Sequence, residues 1–176
     1  MHHPGLSAAP SRVIELPRLG GDPISLMMQP LSLGFHRRLR IRGLIPPQPP
    51  LKVTRDSAGK PIRDEAGLAV MSAHDRDPEY LNQLDQYHQR VAVLAIVESL
   101  RADPLVSFEA QPPTTAEAVP WAQYADAIFE EMESAGLTAG DLAILSNWTC
   151  QLSNLIEGDM QRSSSNFSSG VHPNST

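Results

Sequence analysis

Cysteine, aromatic side chains and long apolar runs are all scarce in this chain, and each shortage closes off a class of protein. Cys150 is the only cysteine, so no internal disulfide can form and a disulfide-built extracellular scaffold is excluded; a reducing, cytoplasmic setting is the expectation. No segment approaches the roughly 20 apolar residues of a spanning helix. Nor does an apolar run follow His2 and His3, so neither membrane insertion nor export by an ordinary signal peptide is expected. Aromatics make up 5% of the residues while proline reaches 16, which predicts a modest core joined by long irregular connections. Phosphate-loop, dinucleotide, CxxC and HExxH spacings are missing as well.

What is present fits one domain, expected over residues 11–157, with a Gly-, Pro-, Ser- and Ala-rich leader at 1–10 and a Ser-, Asn- and Gly-rich tail at 158–176 that reads as disordered. Ile14 and Leu16 alternate with Val13 and Glu15, and Ile24–Met28 follows a turn at Leu19-Gly20-Gly21-Asp22-Pro23, so a small hairpin is predicted. Pro30–Ile45 fits period 2 in some parts and period 3.6 in others, and its state stays open. Pro46-Pro47-Gln48-Pro49-Pro50 ends it as an extended strap. Leu51–Arg55 and Pro61–Arg63, around Asp56 and Gly59, suggest a second hairpin or else an ordered loop. Residues 64–77 show little pattern, and no internal repeat is evident.

Three helices follow. Asp77 is a credible N-cap with Pro78 in the first helical position, opening a main helix to Ala102 whose later part, Val91–Val97, is apolar all round and therefore buried. Asp103-Pro104 stops it, Leu105–Phe108 is expected to dock as an apolar plug, and Pro112-Pro113 begins a linker. A second helix, Pro120–Ser134, carries Trp121, Tyr124, Ala125, Ile128 and Met132 on one stripe and ends at Gly136. Thr138, boxed with Asp141, caps a third helix to about Ile156, and the short connection predicts antiparallel pairing of these last two. The expected fold is a predominantly helical α+β domain, with a small N-terminal β element, a buried central helix and a C-terminal helical hairpin.

Charge is segregated along the chain. Leu31–Arg63 holds eight basic residues and one acidic residue, whereas Asp103–Gln161 holds ten acidic residues and no Lys or Arg. Such asymmetry suits complementarity within the fold or between subunits, and a homo-oligomer is one expectation. A nucleic-acid-binding regulator using the basic 37–63 segment is the alternative, weakened by the lack of interleaved aromatics on which bases would stack.

Catalytic patterns are thin. His88, with Asp85 and Glu79 near in sequence, could form an acid–base pair, but a helix-face histidine bonded to a neighbour is the favoured reading. Cys150 has no nearby positive charge and reads as an inert thiol, the histidines are scattered, and Glu130, Glu131 and Glu133 read as a solvated face. No catalytic, metal or cofactor residue is assigned, and the chain is not read as an enzyme. Protein contact is better represented, by Arg37, Arg38, Arg40 and Arg42 on the basic arm and by Trp121, Tyr124, Phe129 and Trp148 in the last two helices. Core packing is the simpler use of those four rings.

Several segments taken together resemble the tail assembly chaperones and small accessory proteins of tailed bacteriophages and prophages. They are Ile24–Leu26, Pro30–Leu33, Val53–Asp56, Gly59–Pro61, Asp77–Tyr80, Gln89-Arg90, Tyr124–Ala127, Ala135–Leu137 and Gly140–Leu142, across residues 11–156. The resemblance implies a protein that binds the tape measure protein or other tail components without a cofactor or catalytic residue, in the cytoplasm or associated with the virion.

Overall fold

The structure is a computed structural model, and it describes residues 11–153. The leader, the tail and the last residues expected of the final helix lie outside the described residues. The chain runs β1 (Arg12–Leu16), β2 (Ile24–Met28), α1 (Phe35–Ile41), β3 (Leu51–Val53), β4 (Met71–Ala73), α2 (Pro78–Leu100), α3 (Ala118–Ser134) and α4 (Ala139–Leu152). This is the predominantly helical α+β fold anticipated from the pattern.

Helix α2 begins where its cap chemistry dictates: the Asp77 carboxylate accepts the amides of Glu79 and Tyr80, and Pro78 fills a position that needs no amide donor. Its later half is buried on two sides. Val93, Ile96 and Leu100 join Ile14, Leu16, Met28, Ile128, Met132 and Leu145 in one cluster. Leu94 joins Phe35, Leu39, Leu44, Trp121 and Ala125 in a second. Burial of each such side chain contributes about 1.5–3 kcal/mol. Helices α3 and α4 each pack on α2 more extensively than on each other. The two helices follow one another through a short turn as expected, but each finds its main partner in α2, whose later half is apolar all round. Ala118 and Ala122 line a cavity with Gln83 and Arg90, Trp121 and Ala125 share a cluster with Leu94, and Ile128 and Met132 share the other with Ile96 and Leu100, so α2 and α3 run in the same direction. The irregular 101–117 connection returns the chain; on it Val106 and Phe108 pack on the first cluster while Leu105 is 90% exposed.

The β1–β2 hairpin forms in the register that places Ile14 opposite Leu26 and Leu16 opposite Ile24, with Ile14 and Leu16 buried and Val13 outward. Its far edge is tied to the end of α2. The Gln29 amide donates to the Ser99 carbonyl at 2.9 Å, and the Met27 amide donates to Asp103 Oδ2 at 2.7 Å. Asp103 Oδ1 accepts the Leu105 amide, so one buried carboxylate satisfies both the sheet edge and the turn that ends the helix.

The open segment before the strap resolves as helix α1, because Phe35 and Leu39, four residues apart, both enter the second cluster. It ends in a Schellman turn: Gly43 donates to Arg40 and Leu44 donates to Leu39, with Leu39 and Leu44 in contact in that cluster. Gly43 has φ +74°, and a Cβ there would stand 2.6 Å from Ala118 Cβ.

The second hairpin is borne out in part. Arg55 pairs with Pro61 in an antiparallel bridge around the Asp56–Gly59 turn, as expected, but Leu51–Val53 pairs with Met71–Ala73. Between them lie two consecutive eight-residue turns, Arg55-Asp-Ser-Ala-Gly-Lys-Pro-Ile62 and Arg63-Asp-Glu-Ala-Gly-Leu-Ala-Val70, an internal repeat that corrects the earlier reading. Their hydrogen bonding is the same bond for bond. Asp56 Oδ1 accepts the amides of Ala58 and Lys60, and Asp64 Oδ1 those of Ala66 and Leu68. Arg55 donates to the Gly59 carbonyl at 2.7 Å, and Arg63 to that of Gly67 at 2.6 Å. The three arms meet in a closed ring: the Thr54 amide donates to Val70, Val70 to Ile62 and Ile62 to Thr54, at 2.8, 2.9 and 2.9 Å. A unit repeated only twice in so short a span is masked by variation at Ser57/Glu65, Lys60/Leu68 and Pro61/Ala69.

Gly43→Ala is expected to destabilise the protein by about 2–4 kcal/mol, the sum of a left-handed backbone and a clash with backbone-anchored Ala118. Gly136→Ala, at φ +85° with nothing within 4 Å of a Cβ, should cost only about 1–2 kcal/mol. Urea unfolding of both variants checks this, and equal losses would show that the close approach at Ala118 is not felt.

Candidate functional site

Of the eight residues singled out for protein contact, the fold brings the α1 arginines to one seam with Trp121 and Tyr124, whereas Phe129 and Trp148 lie against the first cluster. On α1, Phe35 and Leu39 face inward, which leaves Arg37 and Arg40 on the outer side with Ile41, 61% exposed. Arg38 reaches across to α2, donating to Glu98 at 2.8 Å and to Ser32 at 2.6 Å. The Arg42 guanidinium lies 3.7 Å from the centre of the Trp121 ring, and burial together with neighbouring Arg38 holds its pKa below the ordinary arginine value. Trp121 itself is buried, donates its indole N–H to the Thr115 carbonyl at 2.7 Å, and meets Tyr124 edge-on at 5.6 Å. Phe129 packs on the first cluster, and Trp148 does so while carrying Arg12 at 4.6 Å over its ring. The rings therefore belong chiefly to the core; the outward groups of this seam are Arg37, Arg40 and the apolar residues beside them.

Other readings can be placed too. His88 is exposed beside the Tyr87 ring, and Glu79 accepts from Gln83 instead, so the carboxylates near in sequence are not gathered around it. Cys150 is half-buried, and burial pushes its thiol pKa up. Glu131 is more than a solvated side chain: it accepts the amides of Glu109 and Ala110 at 2.7 and 2.6 Å, pinning the returning connection to α3. The Pro strap lies against the N-terminal half of α2, where Ile45 and Pro47 line a shallow cavity of about 260 Å³ with Gln83, Tyr87 and Arg90.

The β3–β4 unit is the surface that sequence reasoning missed. Residues 55–69 are all exposed, and Leu51, Ile62, Leu68 and Met71 are 64, 41, 66 and 48% exposed. The unit joins the body at Lys52, whose ammonium sits 3.4 Å from Asp77 and 3.0 Å from His74, at the cap of α2. The signal that could have found it was the doubled Arg-Asp-x-Ala-Gly.

Comparison with protein-family models, with curated proteins and with solved structures returns no match to this chain.

Asp141 supplies the sharpest electrostatic test. It is 3% exposed and accepts from Arg18 at 2.7 Å and from the Thr138 amide and hydroxyl at 2.8 Å each. The Arg18 guanidinium first, then the Thr138 donors, hold its carboxyl below the usual carboxylate range against the opposing effect of burial. A depressed folded-state pKa contributes stability that is present above the unfolded value and lost as pH falls through the folded one. Acidification below about pH 4 should therefore erode wild type more than Asp141→Asn, narrowing the gap between their urea midpoints. A gap that stays constant down to about pH 3 would contradict the assignment.

Proposed function

We propose that this protein is a non-catalytic, protein-binding assembly factor of the kind represented by phage tail assembly chaperones and accessory tail proteins. The observation that carries the reading is the β3–β4 unit. Ordering a residue costs about 1–2 kcal/mol of backbone entropy, and here an arm is ordered by nested turns and a closed hydrogen-bond ring while its side chains cover no core. Exposed Leu51, Ile62, Leu68 and Met71 among Arg55, Lys60 and Arg63 have the mixed apolar and basic character of a contact surface. Recognition of another protein is what such an arm is built to do, and the resemblance of the sequence to tail chaperones directs that reading to the tape measure protein or its neighbours in the tail.

Because Lys52 and Ser72 are cross-strand partners at a hydrogen-bonded position of the ladder, residues 53–71 can be replaced by a two-residue Asn-Gly turn that keeps it closed. Affinity capture with the full chain is expected to recover tape measure or tail tube protein in stoichiometric amounts, and the shortened chain, with its helical signal intact, is expected to lose it. Equal recovery by both chains, or recovery of nucleic acid in place of protein, overturns the proposal.

A further inference from the structure

The segregation of charge in the sequence is not neutralised inside the fold. Of the eight basic residues in 31–63, Arg38 pairs with Glu98 and Lys52 with Asp77, and no ion pair among the described residues joins that segment to the acids beyond residue 102. Those acids are spent elsewhere: Asp103 and Glu131 on backbone amides, Asp126 on Arg90 and Asp141 on Arg18. Exposed Glu109, Glu117, Glu130 and Glu133 have no cationic partner among the described residues, and of these only Glu117, at the start of α3, lies on the α1 side. Exposed Arg37 and Arg40 on the outer side of α1 have no acidic partner among the described residues.

Each of these unpaired sets has exposed apolar residues close to it along the chain. Leu33, Ile41 and Ile45, at 107, 61 and 62% exposure, flank the two arginines. Leu105, 90% exposed, lies on the connection that Glu109 ties to Glu131. The two surfaces cannot meet in one molecule. Helix α1 packs at the Trp121 end of α3, and Glu130 and Glu133 stand at its Met132 end, about 18 Å further along at the helical rise of about 1.5 Å per residue.

We infer that the basic outer face of α1 docks on the acidic C-terminal end of α3 of a second copy of this chain, in a head-to-tail contact. A single contact of this kind leaves a free basic face on one copy and a free acidic face on the other, so it propagates into a ring or a filament, unlike a two-fold dimer, in which the same contact would form twice, reciprocally, and leave neither face free. Charge sets the register and the encounter, and the exposed aliphatic groups supply the buried area. This inference does not depend on which partner the β3–β4 arm takes.

Neutralising variants separate the two ends without creating new attractions. Arg37→Gln with Arg40→Gln leaves only the acidic end, and Glu130→Gln with Glu133→Gln leaves only the basic end; all four side chains are solvent-facing, so the helical signal should persist. In sedimentation velocity at low ionic strength, about 0.03 M, the wild-type mass should rise with concentration, and at about 0.5 M, where screening is severalfold shorter, it should fall back toward the monomer. Each double variant alone should associate about tenfold more weakly. An equimolar mixture should form a one-to-one dimer and stop there. Monomers at both ionic strengths, association indifferent to either variant, or a mixture that fails to dimerise would each overturn the head-to-tail contact.

Discussion

The rest of the structure depends on one constraint: the second half of α2 is apolar around most of its circumference and must be covered from several directions. A helix with a single apolar stripe could have been satisfied by one neighbour. Val93, Ile96 and Leu100 call for the hairpin, α3 and α4 on one side, and Leu94 calls for α1 and the start of α3 on the other. That geometry decides the connections. For α3 to run beside α2 in the same direction the chain has to return over residues 101–117, and the proline-rich, irregular composition of that stretch suits a return path better than a further helix.

Acidic residues are what hold the covering pieces in place. The hairpin edge, the turn after α2, the returning connection and the start of α4 each present backbone amides without a ladder partner, and Asp103, Glu131 and Asp141 accept them. A carboxylate is suited to this because it offers two oxygens and forms stronger, charge-assisted bonds. The acidity of the C-terminal half is thus partly structural. Only the remaining outward carboxylates are available for contact with another molecule, a distinction that a count of charges does not make.

Much of this was legible in the sequence. Asp77-Pro78, Thr138 with Asp141, and Gly136 marked helix ends because capping is a local interaction between near neighbours. The alternation of Ile14 and Leu16 with Val13 and Glu15 named the buried face of β1 for the same reason. Where the determinant was distant, the pattern failed or stayed open. Helix α1 is decided by what Phe35 and Leu39 meet across the chain, and β4 by a hydrogen-bond ring joining Thr54, Ile62 and Val70. Met71–Ala73 has no hydrophobic alternation of its own to announce a strand. Among the candidate site residues the arginines were identified as a set, yet only the packing separates Arg38 and Arg42, engaged with Glu98 and Trp121, from Arg37 and Arg40, which face outward.

The two halves of α2 therefore differ in kind. Beyond Val91 the helix is the centre of the core, and before it the residues are exposed or half-buried, with Leu81 at 43% and the β3–β4 arm attached at the cap. Local opening follows burial, so the arm and the first turns of α2 can fluctuate without the cooperative loss of the core. The nested turns work in the opposite direction: each Asp carboxylate ties two amides, each Arg returns to its own glycine carbonyl, and the Thr54–Ile62–Val70 ring joins the turns, so the arm keeps its shape through bonds within itself. An element that is rigid within itself but lightly joined to the body can be presented to a partner and lose little further entropy on binding.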